Sequence, residues 1–166
     1  RAGGETIPLT QGQQITISTR LPGSHVMLSD TPLVFVGYGI DAPERNWDDF
    51  KDVDVRGKII VVLVNDPDFE QPELNTFNGR AMTYYGRWTY KFEEAARQGA
   101  KACLIIHNEE GASYPFTVVQ NNWNSARLHL DNRGKNIPYS DAIGWVTSST
   151  AKKLLEAADM DSTLLK

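Results

Sequence analysis

Ile59-Ile60-Val61-Val62-Leu63-Val64 and Ala102-Cys103-Leu104-Ile105-Ile106-His107 decide the fold class. The first stretch is six successive apolar residues, five of them β-branched. A run this short and this uniformly apolar has no polar phase to turn towards water, so it reads as a strand covered on both faces. The second stretch reads the same way. Between them, Arg87 to Gln98 has helical periodicity: Trp88, Phe92, Ala95, Ala96 and Gly99 fall at i, i+4, i+7, i+8 and i+11 and line one face. Gly99 stands where a helix C-terminal glycine belongs. Strand, helix, strand in this order predicts a βαβ unit with parallel strands and a right-handed crossover.

Towards the C-terminus, Ala142 to Thr147 is a further strand. It runs into Ser148-Ser149-Thr150, residue types that cap helix N-termini, and then into a helix over Ala151 to Ala158 with Leu154, Leu155 and Ala158 on one face. Towards the N-terminus, Leu33 to Ile40 is a strand with glycine at its end, and Gln13 to Thr19 is another. Leu21-Pro22-Gly23-Ser24 is a turn, Val26-Met27-Leu28 a short apolar run, and Ser29-Asp30-Thr31-Pro32 a second break. Asp41 to Val55 is polar and irregular, with one helical turn around Trp47 to Phe50. Asn65-Asp66-Pro67 ends the covered strand and opens a long loop to about Tyr85. The expectation is a mixed α/β fold: a small sheet with a βαβ unit, plus an extra β layer from the N-terminal strands. The chain is expected to be a single domain over 1–166, with the N-terminal strands in 1–32 and the main body in 33–166.

The 166 residues suit one hydrophobic core, and 40% apolar with 23% charged residues is ordinary globular usage rather than disorder. A net charge of −4 argues against a nucleic-acid binder that relies on a global positive field. A single cysteine, Cys103, excludes an intrachain disulfide and a cysteine-rich zinc module. No apolar run approaches a membrane span, and Arg1-Ala2-Gly3-Gly4-Glu5 is no secretion signal. Because the chain begins with Arg rather than Met, it is expected to be a piece of a longer protein.

Local chemistry is sparse. His129-Leu130-Asp131 has the H-x-D spacing of two-zinc peptidases, and His107-Asn108-Glu109 the H-x-E of zinc deaminases. The first lacks a later histidine and the second lacks two further Cys or His ligands, so both read as surface histidines at strand ends. Cys103 lies in an apolar strand, the setting of a buried inert thiol. There is no G-x-S-x-G, and Gly37-Tyr38-Gly39 lacks the third glycine and following helix of a dinucleotide fingerprint. No catalytic or metal-binding residue is therefore assigned. One segment is unusual: Asn78 to Lys91 gathers three tyrosines, a tryptophan and two arginines. These residue types dominate interface hot spots. The competing reading is that Trp88 and one tyrosine anchor the helix while the arginines are solvated. Tyr114-Pro115-Phe116 and Asn121-Asn122-Trp123 form a second aromatic region, either anchors of a long loop or a partner face. The candidate contact residues are Arg80, Tyr84, Tyr85, Arg87, Trp88 and Trp123.

Several motifs in order resemble the protease-associated domain. These are Val34-Phe35-Val36-Gly37-Tyr38-Gly39-Ile40, then Ala42-Pro43-Glu44 with Trp47-Asp48-Asp49-Phe50, then Val55-Arg56-Gly57-Lys58-Ile59-Ile60-Val61-Val62. Glu93 to Gly99 followed by Ala100 to His107 is similar to that family's helix and A-x-A-x-L-I-x-H strand. Ile137-Pro138 and the strand to Thr147 are similar to its ending. The longer Arg80 to Trp88 variant resembles the copy inserted in bacterial zinc aminopeptidases of the co-catalytic two-zinc class. The resemblance implies a swivelling β/β/α fold and a non-catalytic insertion that shapes substrate access or contacts peptide. It also implies that the peptidase domain of the same parent chain supplies all zinc ligands, with no cofactor in this chain. The implied setting is secreted or cell-envelope, with no nucleic-acid or membrane partner. Two other readings stand beside it: a stand-alone protein- or peptide-binding module, and a self-contained hydrolase assembled from distant residues.

Overall fold

The computed structural model describes residues 4–23 and 25–165, so Arg1-Ala2-Gly3, the turn residue Ser24 and Lys166 lie outside the described residues. The two covered runs form β5 (Ile59–Leu63) and β6 (Ala102–His107), joined by helix α2 (Trp88–Arg97). They pair in parallel with Ile59 opposite Ala102 and Leu63 opposite Ile106. β2 (Leu33–Phe35) lies parallel on the far side of β5, and β7 (Ala142–Thr147) parallel on the far side of β6. β1 (Ile15–Ser18) closes the sheet antiparallel to β7, giving the order β1-β7-β6-β5-β2. The expected mixed α/β class is the observed one.

Alternation along the strands separates two apolar layers. Ile60, Val62, Cys103, Ile105, Ile143 and Trp145 pack under Phe92 and Ala95 of α2, together with Ala112 and Val119. The last two come from helices α3 (Glu109–Ala112) and α4 (Phe116–Trp123). Val61, Leu104, Ile106 and Val146 face the other way, under Ala151 of helix α5 (Ser148–Ala157) and under Leu165. Burying both faces of β5 and β6 is what an unbroken apolar run requires.

Four expectations need correction. The N-terminal strand supplies no extra β layer; β1 is an edge of the main sheet, and 25–32 contains no strand. The second sheet is instead a two-residue hairpin, β3 (Asp41–Ala42) and β4 (Trp47–Asp48), so the helical turn expected around Trp47 to Phe50 is absent. The turn lies earlier, at Pro43–Arg45, where Pro fixes the first 3₁₀ position and Asn46 ends it in the left-handed region at φ 53°. The strand expected to run to Ile40 stops at Phe35, because Gly37 and Gly39 turn at φ 53° and 61°. The loop from Asn65 is also more ordered than expected: helix α1 (Pro67–Glu70) begins it, and the Asp68 carboxylate accepts the N–H groups of Thr76, Phe77 and Gly79 at 3.1, 2.8 and 3.1 Å. Among smaller differences, α4 stands where a loop is expected, and α5 begins at Ser148 with Thr147 as its cap.

Gly144 lies opposite Ile17 on β1, and a Cβ there would lie 2.1 Å from the Thr16 carbonyl oxygen. Gly144→Ala is expected to destabilise the protein by about 2–4 kcal/mol, since backbone on a paired strand must shift. Urea unfolding followed by circular dichroism measures this, and a midpoint equal to wild type would contradict the β1–β7 register.

Candidate functional site

The carboxyl ends of the parallel strands are where open α/β sheets gather ligand-facing loops. β2 ends in the Gly37-Tyr38-Gly39 turn. Asn65 follows β5 in the left-handed region at φ 70°, with its Nδ2 donating to the Gly111 carbonyl at 2.9 Å. A cleft of about 360 Å³ lies over these ends, and its polar wall includes Tyr38, Glu70, Asn108, Ser148 and Thr163. Asn108 is engaged as the cap of α3, accepting the N–H groups of Glu110 and Gly111 at 2.9 and 3.3 Å. Ser148 Oγ donates to the His107 carbonyl. Burial, followed by the Glu70 and Asp66 charges, pushes the Tyr38 hydroxyl up to about 12.

On the α2 side of these strand ends sits Lys91, 1% exposed. Its Nζ donates to the Tyr38 carbonyl at 2.6 Å and to the Asn65 carbonyl at 2.9 Å, tying the two strand-end turns together. Burial pushes its pKa down to about 7, against the opposing pull of Asp49, Asp66 and Cys103. Asp66 is fully buried; its Oδ2 accepts the Thr83 N–H and hydroxyl, both at 2.9 Å, and so holds the far end of the loop. The sequence signal for Lys91 existed: it lies three residues after Trp88 and four before Ala95, inside the apolar stripe of α2.

None of these groups forms a nucleophile–base pair. Burial raises the Cys103 thiol pKa, and its Sγ donates only to the Lys91 carbonyl, at 3.8 Å, among the described residues. The His107 ring sits among Tyr114, Phe116 and Trp145, with centroids 5.5, 5.4 and 5.7 Å away. Burial lowers its pKa, with Glu109 opposing. Its Nε2 bonds to nothing among the described residues. His129 and Asp131 do not fit a zinc pair, because both Asp131 oxygens accept from Arg133, at 2.7 to 3.1 Å. Among the described residues, no group of three His, Cys, Asp or Glu side chains gathers to hold a metal. No helix among them is long and apolar enough to cross a membrane.

The six candidate contact residues divide between separate places. Tyr85 packs at 4.9 Å on Tyr90 and 5.7 Å on Phe77, in a cluster with Ile40, Ala42 and Trp47 that fixes the hairpin. Tyr90 pins the same hairpin by bonding both backbone groups of Asp41. Tyr84 is 53% exposed. Its hydroxyl donates to Glu93 at 2.6 Å, and that of Tyr85 donates to Glu44 at 2.5 Å. Trp88 and Trp123 meet edge to face at 6.3 Å on the other flank of α2, both touching Phe92. Both are half-buried, so they serve partly as the anchors that the competing reading expected. Arg80 is exposed, with its guanidinium 5.9 Å from the Phe69 ring centroid. Arg87 is exposed and precedes α2, where its carbonyl accepts the Lys91 N–H at 3.2 Å.

Lys91 makes stability depend on pH with a definite sign. Its folded pKa of about 7 lies below the ordinary 10.5, so between those values the unfolded chain holds more protons. Stability therefore rises as pH climbs through that window and is lowest below 7. Urea unfolding at about pH 6.5 and about pH 8.5 should show this gain, and Lys91→Met should flatten it while lowering stability at both, by leaving two carbonyls without a donor. A wild-type midpoint that falls between those pH values would contradict the assignment.

No protein-family model matches the chain, and no curated protein matches it. Among solved structures, an aminopeptidase from Aneurinibacillus sp. strain AM-1 is similar at a TM-score of 0.39 and 19% identity. The match covers 89% of this chain and 28% of that one, so the chain spans little more than a quarter of that enzyme's length.

Proposed function

We propose that the chain is a protease-associated-type domain of swivelling β/β/α fold, serving as a non-catalytic insertion in a zinc aminopeptidase. The ordered motifs support this reading. The G-Y-G step falls on the turn after β2, Ala42 to Phe50 on the hairpin and its exit, Arg56 to Val62 on the entry to β5 and its body, and Glu93 to His107 on α2 and β6. The observation that carries a contact role is the pair Tyr84 and Tyr85. Both stand on one 3₁₀ turn (Tyr84–Gly86) and are each tethered by a carboxylate, so the rings are ordered before any partner arrives. Such preorganisation reduces the entropy lost on docking. Trp88 and Trp123, with Arg80 and Arg87 near the turn, extend the surface available to the peptidase part of the same parent chain or to peptide substrate. Zinc belongs to that peptidase part, and no residue here is assigned to it. A secreted or cell-envelope parent is inferred from the resemblance alone.

In the parent enzyme, replacing Tyr84 and Tyr85 together by Ala is expected to change the kcat/KM ratio of long to short peptides by about thirtyfold, the size of one interface hot spot. Unchanged length preference together with unchanged domain packing would remove these residues from the contact surface. The isolated chain is expected to leave aminoacyl chromogenic substrates intact with or without zinc. The flanking gene sequence separates this reading from a stand-alone binding module: a downstream H-x-D followed by Glu-Glu favours the insertion, and a frame without one favours the module.

A further inference from the structure

At the end of the sheet opposite the strand-end cleft, just after β1, three hollows of about 480, 730 and 230 Å³ share one wall residue, Arg20. Arg127 and His129 line the first two, and Lys135 joins them in the second. Arg20, Arg127 and Lys135 form no ion pair among the described residues, whereas Arg133 is taken by Asp131. The Nε of Arg20 is shut off from solvent and bonds to nothing among the described residues. On a chain of net charge −4, a local surplus of unpaired cations in a concave surface is not what composition alone would place there. The one carboxylate that faces Arg20 in the third hollow, Glu93, already accepts the Tyr84 hydroxyl.

We propose that the groove centred on Arg20 binds an extended acidic peptide segment, with the Arg20 guanidinium taking a carboxylate through its planar fork. With the Nε–H closed to solvent, the two Nη groups, which bond to nothing among the described residues and are not closed off, are the donor pair that a carboxylate accepts end-on. Arg127 and Lys135 lie where further carboxylates along the same strand would reach. Apolar residues complete the walls: Trp88 and Trp123 at one end, Ile137 at the other, with Leu128 and Leu130 of the same loop 102% and 86% exposed. A single-stranded nucleic acid is the less suitable polyanion. Trp88 and Trp123 stand at 79° to each other, so they offer no pair of parallel faces for successive bases, and the protein's overall charge opposes a long run of phosphates. The proposal does not require an attached peptidase.

The test is fluorescence anisotropy on the purified chain with three labelled probes: a hexapeptide of alternating Asp and Glu, a Gly-Ser hexapeptide, and a thymidine dodecamer. The acidic peptide is expected to bind saturably, several-fold tighter at about 50 mM than at about 300 mM salt, while the Gly-Ser peptide does not bind. Arg20→Gln should weaken binding about tenfold and Arg20→Lys by less, because Lys keeps the charge and loses the fork. Lys152→Ala, on α5 and paired with Glu156, should change nothing. Arg20 has no ion-pair partner to lose among the described residues, so the fold should survive; if Arg20→Gln unfolds, Arg127→Gln with Lys135→Gln carries the same test. Absence of saturable binding, equal binding by the variants, or tighter binding of the oligonucleotide would overturn the proposal.

Discussion

Lys91 is the constraint around which the upper end of the molecule is arranged. Two turns, at Tyr38 and Asn65, present carbonyl oxygens to the interior, and backbone oxygens left without donors there would each cost of the order of 1–3 kcal/mol. One side chain from α2 answers both, at 2.6 and 2.9 Å. The solution has an electrostatic cost, because a charged ammonium so far from water is disfavoured. A neutral amine still carries the two N–H donors that the two carbonyls need, which fits a pKa pushed down to about 7. The spacing between β2, β5 and α2 therefore hangs on one buried polar side chain of α2.

How much was legible in the sequence tracks the strength of each local signal. β5, α2, β6 and β7 were readable because apolar run length, helical period and a terminal glycine agree with one another. The hairpin at Asp41 to Asp48 was not, since two-residue strands leave no period to detect; it is formed by the Pro43 to Asn46 turn and the aromatic packing of Trp47, Phe77 and Tyr85. α4 escaped for a related reason. Val118, Val119, Asn121 and Asn122 are weak helix formers and no side-chain cap announces its start, so packing on the sheet rather than propensity makes it a helix.

The candidate site divides in the same way. Composition singled out the aromatic segment, and the side chains it singled out do reach the surface at Tyr84 and around Trp88. Sequence could not show that they stand on two flanks of α2, because that depends on where the loop from Asn65 folds back. It also passed over Arg20 and Lys91. Arg20 sits at the end of a polar stretch and gains its surroundings only when residues 125–139, distant in the chain, fold against it.

The position of β1 bears on how the molecule is assembled. Ile15 sits opposite Val146, so the sheet is sealed by a contact between segments distant in sequence, with β2, β5, β6 and their connections looped between them. The chain entropy surrendered in closing so large a loop is repaid only once β5, β6 and β7 already form a platform. Before that moment β7 has an open flank, with the backbone of Gly144 bare. A nascent chain in which β7 has not yet emerged has nothing for β1 to join.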